Sequence, residues 1–288
     1  MNHLMIFLLS FIIVGIWLYW GNTTIKTTKI NIQSNGLPIA FDHFVVVHIS
    51  DLHNAEFGKQ QKRLLHTIAA SNPDIITITG DLIDSRRTDT RKALTFMEGA
   101  VKIAPVYFVA GNHESRIAAY PMFQGALTDA GVTVLKNESA FLQRHGSRIR
   151  LFGLEDPTFH PDHNVLRNKK IIDKILRNAE KEDDLYTILL SHRPELFDVY
   201  ADHGIDLALC GHAHGGQVRL PFIGGLYAPN QGLLPKYQNG LYTKGRTNMV
   251  VSRGLGNSLD PIRVCNRPEV VAITLHTQSQ KSTSFPKK

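Results

Sequence analysis

The amino-acid sequence predicts an α/β sandwich carried behind one membrane-spanning N-terminal helix. Three observations predict it. Short β-branched runs alternate with helical stretches through the first half of the chain, and strand-rich sequence comes after them. Histidine, aspartate and asparagine recur just past the ends of those runs. Residues 4–20 are all apolar, aromatic or small except Ser10, and none is charged.

The apolar run comes first. As a helix it spans roughly 25 Å at about 1.5 Å per residue, enough for the hydrocarbon core of a bilayer. Trp17, Tyr19 and Trp20 close it as an interfacial aromatic belt would. A cleaved signal peptide is the rival. The stretch Gly21, Asn22, Thr23, Thr24 offers no small-x-small cleavage site and no Lys or Arg precedes the run, so residues 1–22 are assigned to a retained single-pass anchor. Lys26 and Lys29 come after it while only His3 precedes it. The positive-inside rule alone would keep the body of the protein cytoplasmic, but so few charges leave the side of the membrane open.

Residues 23–40 are polar and threonine-rich, and read as a linker or an edge strand. A single domain is expected over residues 41–276. Strands are predicted at 44–50 (FVVVHIS), 74–79 (DIITIT) and 106–110 (VYFVA), with helices at 61–70, 90–102 and 122–130, the last stopped by Gly131. Further strands are predicted at 132–135, 148–152, 186–190 (YTILL), 206–209 (DLAL), 248–252 and 270–275. Helices at 168–180 and 195–201 separate them. The polar residues 277–288 are expected to be a disordered tail.

Composition excludes some classes of function. An apolar fraction of 43% and a charged fraction of 20% are those of a globular chain. A net charge of +7 and a pI near 9.4 suit a phosphate-rich partner or an anionic membrane surface. The basic residues are scattered, without aromatic interleaving, so no nucleic-acid partner is expected. Cys210 and Cys265 are the only cysteines, and either two free thiols or one bridge would fit.

The chemistry lies in the short segments just past the strands. Asp51-Leu52-His53 comes after the first, Gly80-Asp81-Leu82-Ile83-Asp84 after the second and Gly111-Asn112-His113-Glu114 after the third. Ser191-His192 and Gly211-His212-Ala213-His214 stand after two later strands. Ligands of open α/β sheets bind at the carboxyl ends of strands, so these groups should face one crevice. Imidazole, carboxylate and amide donors without thiolates suit a pair of Mn, Fe or Zn ions. If Asp-x-His and His-x-His stay extended, residues i and i+2 point the same way and reach one cluster. The glycines before Asp81, Asn112 and His212 would allow a sharp exit from strand to loop.

This pattern, D-x-H, GD-x-x-D, GNHE, H and GHAH, covers roughly residues 44–214 and resembles the calcineurin-like metallophosphoesterases. Downstream, Gly215-Gly216-Gln217, the 221–242 loop region, Ser252-Arg253-Gly254-Leu255-Gly256 and Pro261-Ile262-Arg263 look like the YkuE/YaeI branch of membrane-associated or exported bacterial phosphodiesterases. The resemblance implies a four-layer α/β/β/α sandwich binding two divalent or transition metal ions, manganese among the candidates. By the same resemblance, Asp51, His53 and His214 would hold one metal and Asp81 would bridge to the second. Asn112, His192 and His212 would complete the coordination of that second metal. His113 would contact the substrate phosphate as general acid or charge stabiliser, and Asp84 and Glu114 would support the site.

The implied reaction is hydrolysis of a phosphodiester or pyrophosphate bond by a hydroxide shared between the metals, on a lipid-linked or cell-envelope substrate. A phosphomonoesterase or protein phosphatase of the same fold is the alternative; a non-catalytic scaffold should have lost ligands, and none is missing. His48 reads as a packed strand histidine, and His43, His66, His145, His203 and His276 have no spacing that argues for function. His160 and His163 lie in a turn-rich loop where substrate contact is the less favoured reading. Cys210 reads as a packing residue, and Arg253 and Arg263 as structural arginines. Oligomeric state is not legible.

Overall fold

The structure, a computed structural model, describes residues 2–179, 185–257 and 262–278. Apart from Thr277 and Gln278, the expected tail of residues 277–288 lies outside the described residues, as does residue 180 at the end of one predicted helix.

The chain runs through helix α1 (Asn2–Thr23), strands β1 (Lys26–Ser34) and β2 (Phe44–Ile49), α2 (Lys62–Ala69), β3 (Ile75–Thr79), α3 (Thr90–Ala100), β4 (Val106–Val109) and α4 (Tyr120–Asp129). It continues through β5 (Thr133–Val134), β6 (Glu138–Arg144), β7 (Ser147–Gly153), α5 (Asn168–Asn178), β8 (Thr187–Leu190), α6 (Phe197–Asp202) and β9 (Leu207–Cys210). Two short ribbons come next, β10 (Arg219–Leu220) with β11 (Gly224–Gly225), and β12 (Tyr227–Ala228) with β13 (Gly232–Leu233). Strands β14 (Gly240–Lys244), β15 (Thr247–Val251) and β16 (Glu269–Thr277) complete the fold.

The strands form two six-stranded sheets, ordered β1-β16-β2-β3-β4-β5 and β14-β15-β9-β8-β7-β6. The central strands β2, β3 and β4 are parallel, as are β7, β8, β9 and β15. Their continuous apolar sequence reflects burial on both faces. Val46, Ile75 and Val109 of the first sheet pack against Ile188, Leu207 and Val250 of the second. The outer face of the first sheet is covered by α2, α3 and α4 through Leu64, Ile68, Phe96, Met97 and Phe123. The outer face of the second is covered by α5 and α6 through Ile172, Leu176 and Tyr200. The layers are thus α/β/β/α.

Sequence patterning does not predict strand β6, nor the short strands β10 to β14. The seven residues of β6, ESAFLQR, bury only Leu142 and carry no alternating apolar signal. It is specified instead by its antiparallel pairing with β7. Within residues 23–40, where linker and edge strand are both compatible with the sequence, the chain forms an edge strand, with Lys26 opposite Glu269 and Ser34 opposite Thr277. Gly131 stops α4 as expected: at φ +91° it lets Val132 N donate back to Leu127 O.

Helix α1 has no side chain buried against the rest of the protein along its apolar window, His3–Thr23. By length and composition it can cross a membrane. Its last turn touches the body. Asn22 Nδ2 donates to Arg263 O, and Arg263 N donates to Asn22 Oδ1.

Candidate metal centre

The site forms where the carboxyl ends of β2, β3, β4, β8 and β9 meet, and the two sheets are tied together there by polar contacts. His192 Nδ1 lies 2.7 Å from Thr79 O, so the end of β8 is pinned to the end of β3. His48 Nε2 lies 3.1 Å from Cys210 O, joining β2 to β9. Burial lowers the His48 pKa to about 4, so it stays a neutral inter-sheet tie. Cys210 is buried and Cys265 exposed, both as free thiols.

All eight residues singled out in the sequence are buried in this crevice: Asp51, His53, Asp81, Asn112, His113, His192, His212 and His214. Ligand atoms of Asp51, His53 and His214 lie within 4.8 Å of one another, as do those of Asp81, His192 and His212. Asp81 joins the two groups. Its Oδ2 is 3.6 Å from His53 Nε2, 3.2 Å from His192 Nε2 and 4.0 Å from His113 Nε2. His214 Nε2 lies 3.4 Å from Asp51 Oδ1.

The ligand loops do not reach the crevice by extended backbone, as strand alternation would have it. Asp51, His53, Asp81, His212 and His214 all adopt left-handed conformations, with φ between 44° and 65°. Each such residue costs on the order of 1–3 kcal/mol unless its surroundings hold it. Here they do. Asp51 N donates to Gly80 O, His53 N to Asp81 O, and His212 N to the Asp51 carboxylate at 3.1 Å. Tight turns, rather than pleat alternation, aim both members of each Asp-x-His or His-x-His pair inward.

The preceding glycines also act differently from one another. Gly80 has φ +85° and needs glycine for its conformation as well as for space, because a Cβ would run into the Gly111 backbone. Gly111 and Gly211 need it for space, because a Cβ would run into Asp81 at the first and into Ser50 and Asp51 at the second.

Glu114 holds the second ligand loop. Its carboxylate accepts from the backbone N–H groups of Asp81, Leu82 and Gly111 at 2.8 Å and of Ile83 at 3.3 Å. Burial and the nearby Asp81 push its pKa up to about 7, against the pull of these donors. Asp84 braces the next turn, accepting from Arg86 N at 2.9 Å, with its Oδ1 3.7 Å from His113 Nδ1. Ser85 N donates to His113 Nδ1 at 3.0 Å. Burial lowers the His113 pKa to about 4. The neutral ring therefore carries its proton on Nε2, facing Asp81 and the cavity.

Charge in the cluster is sharply divided. Burial opposes charge everywhere in it, but the Asp81 carboxylate outweighs burial at His192 and raises its pKa to about 10. His192 and its neighbours in turn hold Asp81 well below the usual carboxylate range. Burial and the adjacent Arg193 push His212 well down, and burial lowers His214 to about 3.

The donor set fits a pair of cations. His53 Nε2 faces His214 Nε2 at 3.2 Å, and His192 Nε2 faces His212 Nδ1 at 3.0 Å. The buried Asn112 Oδ1 and His53 Nδ1 have no hydrogen-bond partner among the described residues. Opposed imidazole nitrogens and an orphaned amide oxygen are what a metal pair would satisfy. These His/Asp groups fit a binuclear metal site.

A cavity of about 300 Å³ opens over the cluster, lined by Asp81, Asn112, His113, His212 and His214 on its floor. Its walls include Arg193, which sequence reasoning misses, and Gln217, Tyr227 and Asn230, which it places in segments resembling the YkuE/YaeI branch without giving them a role in the site. Arg193 stands directly after His192 and pairs with the buried Asp156, which lies 37 positions away. Nothing in the local sequence marks Asp156 as its partner. His163 reaches the rim while His160 does not line this cavity. Arg253 and Arg263 also lie outside it, and Arg263 is buried, donating to Asn257 Oδ1 and to the carbonyls of Arg253 and Gly256. Of the histidines given no role, His203 meets Asp173 at 2.9 Å, and His43 packs edge-on against His276.

Comparison with known proteins agrees with this geometry. The sequence profile of the calcineurin-like phosphoesterase family matches residues 44–216. The chain is similar to the uncharacterized metallophosphoesterase YkuE of Bacillus subtilis (strain 168), with 32% identity covering 87% of this chain and 85% of that one. It is also similar to the phosphodiesterase YaeI of Escherichia coli (strain K12), with 27% identity over 81% of this chain and 82% of that one. In fold it is similar to the crystal structure of TT1561 of Thermus thermophilus, at a TM-score of 0.50 and 12% identity, covering 74% of this chain and 90% of that one. The residues that crowd this crevice fall within the profile match, and the chain belongs to the calcineurin-like metallophosphoesterase family as a metal-dependent phosphoester hydrolase.

Proposed function

We propose that the chain is a membrane-anchored hydrolase of phosphodiester or pyrophosphate bonds in a lipid-linked or cell-envelope substrate. The observation that carries the reading is Asp81 Oδ2, set between His53 at 3.6 Å and His192 at 3.2 Å beneath a cavity wide enough for a substituted phosphate. In this reading Asp51, His53 and His214 would hold one metal, Asn112, His192 and His212 would hold the other, and Asp81 would serve both. Mn, Fe and Zn all suit that donor set. Two such ions bound together supply a water made acidic enough to attack phosphorus near neutral pH, and positive charge for the phosphoryl oxygens.

The chain's own side chains do the rest. His113 presents Nε2–H toward the cavity, fixed in that tautomer by the Ser85 amide, and donates to a substrate phosphoryl oxygen or to the departing one. Since burial keeps the ring neutral, its contribution is a positioned hydrogen bond rather than a standing positive charge. Arg193 at the wall offers a guanidinium already oriented by Asp156. The walls formed by Tyr227, Pro229 and Val165 give room to a second substituent on phosphorus, which favours diesters over monoesters. Anchoring through α1 would place this site beside a bilayer, which supports an amphiphilic substrate.

The test compares bis-p-nitrophenyl phosphate with p-nitrophenyl phosphate on the purified full-length chain, with and without added manganese. Metal-dependent cleavage favouring the diester is expected. Cleavage of the monoester alone would move the assignment to a phosphomonoesterase, and cleavage of neither would sink it.

A further inference from the structure

The loops that wall the cavity also carry several exposed apolar side chains, and the structure links them to the end of α1. The link is short. Asn22 in the last turn of α1 exchanges two hydrogen bonds with the backbone of Arg263, at 2.9 and 2.8 Å. The next residue, Val264, bridges to Val218, and Arg219 N donates to Val264 O at 3.0 Å. Arg219 opens the β10–β11 ribbon, and Leu226 N, just past it, donates back to Val218 O. Leu234 N donates to Leu226 O, so the β12–β13 ribbon lies alongside. From the helix end to Tyr227 at the cavity wall, the contacts are continuous.

Along this path Leu220, Phe222, Ile223, Leu233, Leu234 and Ile262 are exposed. Phe222 is fully exposed and Leu233 is 80% exposed. Exposed apolar side chains gathered on loops that are hydrogen-bonded to one another mark an interaction site. Its neighbours say which kind. Trp17 and Trp20 on α1 share a cleft of about 320 Å³ with Lys26, Arg253 and Arg267. The Arg267 guanidinium stacks over the Trp20 ring at 4.6 Å and donates to the carbonyls of Thr24 and Ile25. Indole rings interleaved with cations at the end of an apolar helix are the chemistry of the headgroup layer, where aromatic belts sit and anionic phosphates attract Lys and Arg. The apolar ribbons are joined to this cleft through Arg263, Val264 and Val218.

We infer that residues 219–234 form a second membrane contact, with the two ribbon tips dipping their apolar side chains into the bilayer interface beside α1. This rests on the reading of α1 as an anchor and adds to it that the cavity opens onto the headgroup layer. The occupant of the surface is lipid. The site would then receive a phosphoester held at headgroup depth, reached without leaving the membrane.

The test is site-directed spin labelling of the full-length chain in nanodiscs containing phosphatidylglycerol, on a Cys265→Ser background, because Cys265 is the exposed thiol and Cys210 is buried. Nitroxides replace Phe222, Leu234, Ile13 in α1 and, as an aqueous reference, the exposed Lys174 in α5. Collision rates with oxygen and with a water-soluble nickel chelate are compared. Oxygen is expected to dominate at positions 222, 234 and 13, and the chelate at 174. Chelate-dominated labels at 222 and 234, with oxygen dominating at 13, would overturn the ribbon contact and leave the anchor standing. Chelate dominance at 13 as well would overturn both.

Discussion

Arg193 and Asp156 form a two-point ion pair in the cavity wall: Nε meets Oδ2 at 2.5 Å and Nη2 meets Oδ1 at 2.9 Å, both side chains being buried. The third guanidinium nitrogen, Nη1, lies 3.0 Å from His212 Nε2. The pair therefore joins the loop after β7 to the loop that carries His192, and it touches a candidate ligand. Asp156→Ala leaves that guanidinium buried without its main partner. Its expected cost is about 3–5 kcal/mol, the range for breaking a buried ion pair from one side, read as a lowered urea midpoint. Arg193→Lys keeps a charge but loses the fork, so it is expected to retain more stability than Asp156→Ala while still losing diesterase activity. Equal stability of wild type and Asp156→Ala would show that the pair holds nothing together.

Asp81→Ala removes the carboxylate that the two histidine groups share. Turnover is expected to fall below detection with bound metal reduced by elemental analysis, while the far-ultraviolet circular dichroism stays that of the wild type. Retention of most activity would reject the assignment of Asp81.

His113→Ala is expected to reduce kcat by roughly 10²-fold or more, the usual weight of a positioned proton donor, with metal content unchanged. Metal loss in this variant would instead make His113 a ligand. Ser85→Pro removes the amide that fixes the tautomer of His113, so it is expected to lower kcat in the same direction with a smaller effect.

Glu114→Ala strips the acceptor from the amides of Asp81, Leu82, Ile83 and Gly111. Each buried donor left unsatisfied costs about 1–3 kcal/mol, less what water recovers by entering the vacated space. A lower thermal midpoint is expected together with weaker metal retention, since the same loop presents Asp81. Unchanged stability would mean that the loop is held by something else.

Metal binding should release protons. In the metal-free protein His192 is protonated up to about pH 10 and His53 is raised as well, while His212 and His214 are already neutral. A raised histidine stabilises the metal-free fold fully below its ordinary value of 6.5, and that contribution from His192 fades as pH rises through about 10. The depressed Asp51 and Asp81 contribute above 3.8 and lose their contribution as pH falls below it. A ligating imidazole must give up its proton, so metal affinity is expected to rise with pH across the neutral range. Titration calorimetry of manganese binding near pH 7, in buffers of different ionisation enthalpy, is expected to report at least one proton released per chain. No dependence on the buffer would contradict the pairing of His192 with Asp81.

Much of this protein is legible in its residues alone. The central strands are readable because burial on both faces leaves an unbroken β-branched run, as in IITIT of β3. The candidate ligands are readable because each stands just past such a run, and residues at one end of a parallel sheet share a crevice whatever the rest of the chain does. Strand β6 is not, since one face packs and the other is wet, and its register comes from β7 rather than from its own pattern.

Residue type and order thus decided that the strands end in a ring of imidazoles and carboxylates, because those are local properties of short segments. Three-dimensional packing decided how those side chains are aimed. The left-handed turns at Asp51, His53, Asp81, His212 and His214 are held by carbonyls, carboxylates and a side-chain amide from distant segments, which no local rule could supply. The pairing of Arg193 with Asp156, and the joining of the helix end to the cavity wall through Arg263 and Val264, are likewise contacts between distant segments. Such contacts exist only once two sheets have closed on each other.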